Sequence, residues 1–196
     1  KEFSTFKNIY GYGLMNEPHD LTPETSWFDM AQASINAIRE VDTNTLIMVG
    51  GNDWSSAERW IEQSDTLKYL KDPANNLAFE AHVYFDKDAS GTYKYSYEEE
   101  ECYPEKGIDR VKPFVEWIKQ NKFHGFIGEY GIPDNDPRWN ETLDLYLGYL
   151  QENGINGTYW AAGPWWDTYF MAITPKDGKD RPQMPIIEKY TSTLKK

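Results

Sequence analysis

Cysteine is nearly absent. Cys102 stands alone in 196 residues, so no intrachain disulfide and no thiolate-built metal site is available. Histidine is scarce as well, and His19, His82 and His124 are too scattered for a zinc-binding spacing. Positive charge is in deficit, with 20 Lys and Arg against 32 Asp and Glu and a net charge of −12. That balance argues against a nucleic acid and against an anionic membrane, both of which are read by basic patches. The acidity serves solubility. No run is apolar enough to cross a bilayer, and no secretory leader pattern opens the sequence. No glycine-rich phosphate turn follows the first apolar run.

Aromatic residues are plentiful: 16% of the chain, including 8 Trp and 14 Tyr. Such a set fits a ligand that is neutral and apolar on its faces, as a sugar ring is. Two short strings carry a glutamate in the same setting. In Tyr12-Gly13-Leu14-Met15-Asn16-Glu17-Pro18-His19 and in Phe126-Ile127-Gly128-Glu129-Tyr130-Gly131, an apolar strand-like run ends on a carboxylate. A carboxylate there is costly unless it has partners or a task. Two of them aimed at one site are the minimum equipment for cleaving a glycosidic bond.

Strand and helix patterns alternate along the chain. Short strands are expected at 9–15, 46–49, 77–84, 124–128 and 155–160. Pro18 and Pro23 close off the first. Helices are expected at 25–41, 55–70, 107–121, 138–153 and 185–194. The inward faces would carry Phe28, Ala31, Ile35, Ile38 and Val41, then Ala57, Trp60, Ile61, Leu67 and Leu70. Those of the next two would carry Val111, Val115 and Ile118, then Leu143, Leu145, Tyr146 and Leu150. Gly154 is placed to stop the fourth helix. A long polar loop separates Phe85 from Glu105, its Glu98–Glu101 run reading as solvated surface. Five strands each followed by a helix describe an α/β fold with parallel strands. A (β/α)8 barrel with active residues at strand C-terminal ends is one solution. A doubly wound open sheet is the competitor.

The motifs themselves narrow the choice. Asn16-Glu17-Pro18 after an apolar strand resembles the signature of clan A retaining glycoside hydrolases, and within them family 5, the cellulase family. Gly128-Glu129-Tyr130-Gly131 resembles that family's nucleophile strand, three strands on. Ala81-His82-Val83-Tyr84 resembles its His-x-Tyr pair, both side chains on one strand face. Gly157-Thr158-Tyr159-Trp160 resembles its last strand. Phe85–Thr92 and Ala161-Ala162-Gly163-Pro164-Trp165-Trp166 are similar to its endoglucanase branch. The resemblance covers essentially the whole chain.

The resemblance implies a (β/α)8 TIM barrel of which residues 1–196 supply strands 4 to 8 and their helices. Strands 1 to 3 are not in this sequence, nor are the Arg and His that the family places after strands 2 and 3. The start, Lys1-Glu2-Phe3-Ser4, reads as the interior of a longer protein. The resemblance further implies Glu17 as acid/base and Glu129 as nucleophile, with Tyr84 donating to Glu129. Asn16 would bind the 2-hydroxyl of the reacting sugar, His82 would sit beside the acid/base, and Trp160 would be that sugar's platform. Trp54, Trp27 and Trp166 are candidates for the cleft walls. Of Trp165 and Trp166, one is expected in the core and one in the cleft. Trp60 and Trp117 read as core, and His19 and His124 as structural or surface residues. A carboxylate gap of roughly 5 Å would mean retention and roughly 6.5–9.5 Å inversion. The implied activity is a retaining endo-β-1,4-glucanase without metal or organic cofactor. Its partners would be β-glucan and the missing N-terminal barrel part. Mannan or xyloglucan as substrate, or a non-catalytic glycan-binding half-barrel, are the alternatives. A polymeric substrate implies a secreted or cell-surface enzyme.

Overall fold

A computed structural model describes residues 2–22 and 24–191. Pro23 and the end of the last expected helix, 192–194, lie outside the described residues. The elements in chain order are β1 (Gly11–Gly13), α1 (Trp27–Arg39), β2 (Leu46–Gly50), the single turn α2 (Asn52–Ser55), α3 (Trp60–Ser64) and β3 (Leu77–Tyr84). They continue as α4 (Lys106–Asn121), β4 (His124–Gly131), α5 (Arg138–Glu152), β5 (Asn156–Tyr159) and α6 (Met184–Tyr190). One five-stranded sheet carries the strands in the order β1-β2-β3-β4-β5. Gly11 to Gly13 of β1 run parallel to Leu46 to Met48 of β2, and Ile47 to Gly50 of β2 run parallel to Leu77 to Glu80 of β3. The order never reverses. A doubly wound sheet needs a reversal at its switch point, whereas a barrel adds each strand beside the last. The strand order therefore decides for the barrel type.

The chain divides into two compact units. One runs to His82 and adds Pro113–Phe126; the other takes Val83–Lys112 and the chain from Ile127 onward. In the first, Ala31 and Ile35 of α1, Ile47 and Val49 of β2, and Trp60, Phe79, Phe114 and Trp117 are buried. The aromatic members meet edge to face, Trp60 to Phe114 at 4.6 Å and Phe79 to Trp117 at 4.9 Å. Trp117 also donates its indole N–H to Asp65 at 2.9 Å. The Arg39 guanidinium and the Asp72 carboxylate form a buried pair, Nε to Oδ1 at 2.7 Å. In the second unit, Trp139 lies edge-on between Tyr93 and Tyr97. Phe85, Ile127, Ile132, Leu143 and Tyr146 are fully enclosed.

Several expectations are corrected by local physics. The helix expected over 55–70 is broken. Asp53, Trp54 and Ser55 all take left-handed φ values near 55°, and Ser56 bridges in parallel to His82. Strand-like pairing there delays the helix to Trp60. Ile61, Val41 and Leu145 point outward. The Glu98–Glu101 run is not uniformly solvated. Glu100 is buried because it accepts the backbone N–H groups of Lys87 and Tyr95, which the long loop would otherwise leave unpaired.

Candidate active site

Asn16, Glu17, Trp54 and His82, candidates of the first unit, sit near or just past the carboxyl end of a strand. Beyond β1, Asn16 is exposed and Glu17 is half-buried with φ at 47°, a left-handed conformation rare for glutamate. Such a backbone costs about 1–3 kcal/mol and persists where surrounding contacts hold it. The contact that holds it comes from β3: His82 Nδ1 lies 2.7 Å from Glu17 Oε1. The opposite ring nitrogen, Nε2, lies 3.3 Å from Glu80 Oε1. His82 is buried and thus bridges two carboxylates, one at each nitrogen. A neutral imidazole has one donor and one acceptor nitrogen, so the two carboxyl groups meet it in different hydrogen-bond roles.

Past β2, Asp53, Trp54 and Ser55 form the left-handed turn, tied down by the Asp53–Arg59 ion pair and by Trp54 N–H donating to the Pro18 carbonyl at 3.3 Å. Trp54 stays exposed, and its ring lies against that of His19.

In the second unit, Tyr84 at the end of β3 donates its hydroxyl to Glu129 Oε2 at 2.7 Å. Burial, and then the negative charge of Glu129, push the Tyr84 phenol well above its ordinary range, so it remains a donor at any physiological pH. Glu129 lies near the end of β4, and Trp160 directly follows β5. Trp160 donates its backbone N–H to the Tyr130 carbonyl at 2.8 Å, and its peptide to Ala161 is cis. Trp166 meets the Trp160 ring at 4.9 Å, and Tyr169 meets Trp166 at 5.0 Å. Gly131 is obligatory here, because any Cβ on it would collide with the Trp160 carbonyl.

The model of the cellulase family, glycosyl hydrolase family 5, matches residues 1–165. The chain belongs to glycosyl hydrolase family 5. The probable endo-beta-1,4-glucanase B of Aspergillus kawachii is 37% identical, over 96% of this chain and 59% of its own length. The endo-beta-1,4-glucanase B of Emericella nidulans is 36% identical, over 90% and 53%. The crystal structure of Pseudomonas stutzeri endoglucanase Cel5A superposes with a TM-score of 0.89 at 42% identity, covering 97% of this chain and 58% of that one. That enzyme has also been solved in complex with cellobiose. The chain thus spans between half and two-thirds of the length of these relatives. Its five parallel strands correspond to part of the family 5 (β/α)8 barrel.

Against that family frame, two tryptophan expectations fail. Trp27 does not line a cleft: it opens α1, is buried, and donates its indole N–H to the Gly50 carbonyl at 2.8 Å. Neither Trp165 nor Trp166 is core. Trp165 is 90% exposed, and Trp166 is half-buried beside Trp160. Trp60 and Trp117 are core. Two residues escaped the sequence reading. Glu80 stands two positions before His82, on the same face of β3 by the strand period of two, and that spacing was a usable signal. Tyr169 joins the Trp160–Trp166 cluster from a loop, where no periodicity marks it.

Proposed function

We propose that this chain carries the acid/base and the nucleophile of a retaining endo-β-1,4-glucanase, and that it supplies strands 4 to 8 of a barrel completed by another segment. The observation that carries this reading is the pair of partners presented by β3. His82 engages Glu17, and Tyr84 engages Glu129. One glutamate is given a ring nitrogen that can trade a proton with it. The other is given a neutral donor that favours its ionised form. The two carboxyl groups thus have different hydrogen-bond partners, and double displacement assigns them different roles.

In the first step, Glu129 attacks the anomeric carbon and forms a glycosyl ester. Glu17 gives its proton to the departing glycosidic oxygen. In the second step, Glu17 takes a proton from water, whose oxygen displaces Glu129 from the same carbon. His82 lies beside Glu17 through both steps, its other ring nitrogen facing Glu80. Asn16 contacts the 2-hydroxyl of the reacting sugar, Trp160 lies under that sugar, and Trp54 and Trp166 extend the cleft. No metal or organic cofactor takes part in this chemistry.

β-1,4-Glucan is the substrate that the relatives' names favour, and such a polymer places the enzyme outside the cell or on its surface. Among the described residues, no helix is long and apolar enough to cross a membrane. Assay of the complete polypeptide on soluble β-1,4-glucan, mannan and xyloglucan tests the substrate. Faster turnover of mannan or xyloglucan would replace the glucan reading. The Glu129→Gln variant tests the chemistry: an enzyme loses turnover, whereas a glycan-binding half-barrel is indifferent.

A further inference from the structure

His19 was expected to be a bystander, yet its ring lies face to face with Trp54, centroids 4.5 Å apart and planes within 12°. Neither ring is core: Trp54 is 43% exposed and the His19 side chain 44%. Two half-exposed rings held parallel are pinned from several directions. His19 Nδ1 sits 2.9 Å from Asp20 Oδ2. Trp54 N–H reaches the Pro18 carbonyl. Asp53 pairs with Arg59, and Ala57 N–H donates to the His82 carbonyl at 3.2 Å. A Cβ on Gly50 would stand 2.9 Å from Ser55 Oγ and 3.2 Å from the Met15 carbonyl. The turn bearing Trp54 is therefore packed directly on the loop bearing Glu17. Three consecutive left-handed residues, Asp53 to Ser55, carry the indole. Strain maintained at a site of this kind points to use.

We propose that His19 is a positioning residue, and that its imidazole backs Trp54 to make the indole a rigid platform for the sugar on the leaving-group side of Glu17. The inference rests on the acid/base reading of Glu17. An acid must stand beside the glycosidic oxygen it protonates, and the loop that carries Glu17 carries this stack two residues later. The exposed indole face suits the C–H face of a β-glucosyl unit, and the parallel imidazole prevents the indole from swinging away. Ordering the platform before substrate arrives removes a cost from binding.

The test compares two substrates in the complete polypeptide. Cellopentaose places sugars on the leaving side. Methyl β-cellobioside also needs the proton of Glu17, but its methanol leaving group is too small to cover an indole. His19→Ala should lower kcat/KM for cellopentaose by about tenfold, carried mainly by KM, as expected for roughly 50 Å² of apolar contact no longer held. It should leave methyl β-cellobioside within about twofold, by the same contact argument. Trp54→Ala should lower cellopentaose turnover at least as far, and His19→Phe, which keeps a flat ring under the indole, should restore cellopentaose. Equal losses on both substrates would place His19 in support of Glu17 and overturn the proposal. So would no loss on cellopentaose, or a failed rescue by His19→Phe. A parent enzyme inactive on both substrates would instead defeat the acid/base reading, and this inference with it.

Discussion

Replacing Tyr84 by Phe removes one oxygen and tests the nucleophilic role proposed for Glu129. The hydroxyl donates to Glu129 Oε2 at 2.7 Å, and Tyr84 is only 7% exposed, so little water can take its place. A hydrogen bond to a charged group contributes about 1.5–3 kcal/mol. At 1.36 kcal/mol per decade, its loss converts to roughly ten- to a hundredfold in the rate of a step that needs ionised Glu129. The effect has a sign in pH. Without the donor the carboxylate form is disfavoured, so the acidic limb of the kcat/KM profile moves to higher pH. The loss is largest on that limb and shrinks toward neutrality, where the carboxyl ionises anyway. The assay is the pH profile of kcat/KM for a cello-oligosaccharide in the parent and in Tyr84→Phe. An unmoved acidic limb, or an equal loss at every pH, would refute the reasoning.

Three further predictions follow from other contacts. Glu80→Gln keeps the shape beside His82 but removes the charge opposite Nε2. It should lower kcat severalfold and less than His82→Ala does, which steady-state kinetics on soluble glucan would check. Arg39→Met leaves the buried Asp72 carboxylate without its cation and should destabilise the fold by about 3–5 kcal/mol, read by denaturant unfolding, with kcat/KM of the folded enzyme unchanged. Burial pushes the Asp72 carboxyl up, but Arg39 and the Asn76 and Ala74 N–H groups outweigh it and hold the group below its ordinary value. Its contribution is therefore present above about pH 4 and lost as the pH falls further. Gly131→Ala forces a Cβ onto the Trp160 carbonyl, and should cut activity and melting temperature together.

Much of this was legible before the structure. β3 spans Leu77–Tyr84 as its apolar pattern says, and α5 begins at Arg138 and gives way to the left-handed Gly154. These elements have strong local signals: a long β-rich run, and a helical period ended by glycine. The segment after β2 was misread because its conformation is set by distant groups. Ser56 and Ala57 pair with His82, more than twenty residues on, and no local propensity encodes that. Glu100 was misread for a related reason, since its burial depends on which backbone N–H groups the folded loop needs satisfied. The partners of Glu17 and Glu129 were readable because β3 presents His82 and Tyr84 on one face. Trp27 was not, because an indole at a helix start serves packing or binding according to where the next strand's carbonyl lies. His19 was passed over because its partner, Trp54, is brought to it only by the left-handed turn.

The central claim is that Glu129 bonds covalently to the sugar. Incubating the complete enzyme with a 2-deoxy-2-fluoro-β-cellobiosyl donor, followed by peptide mass mapping, reads it directly. The account predicts a single fluorocellobiosyl adduct on Glu129 and none on Glu17. An adduct on another residue, or no adduct together with inverted anomeric configuration in the product, would contradict it.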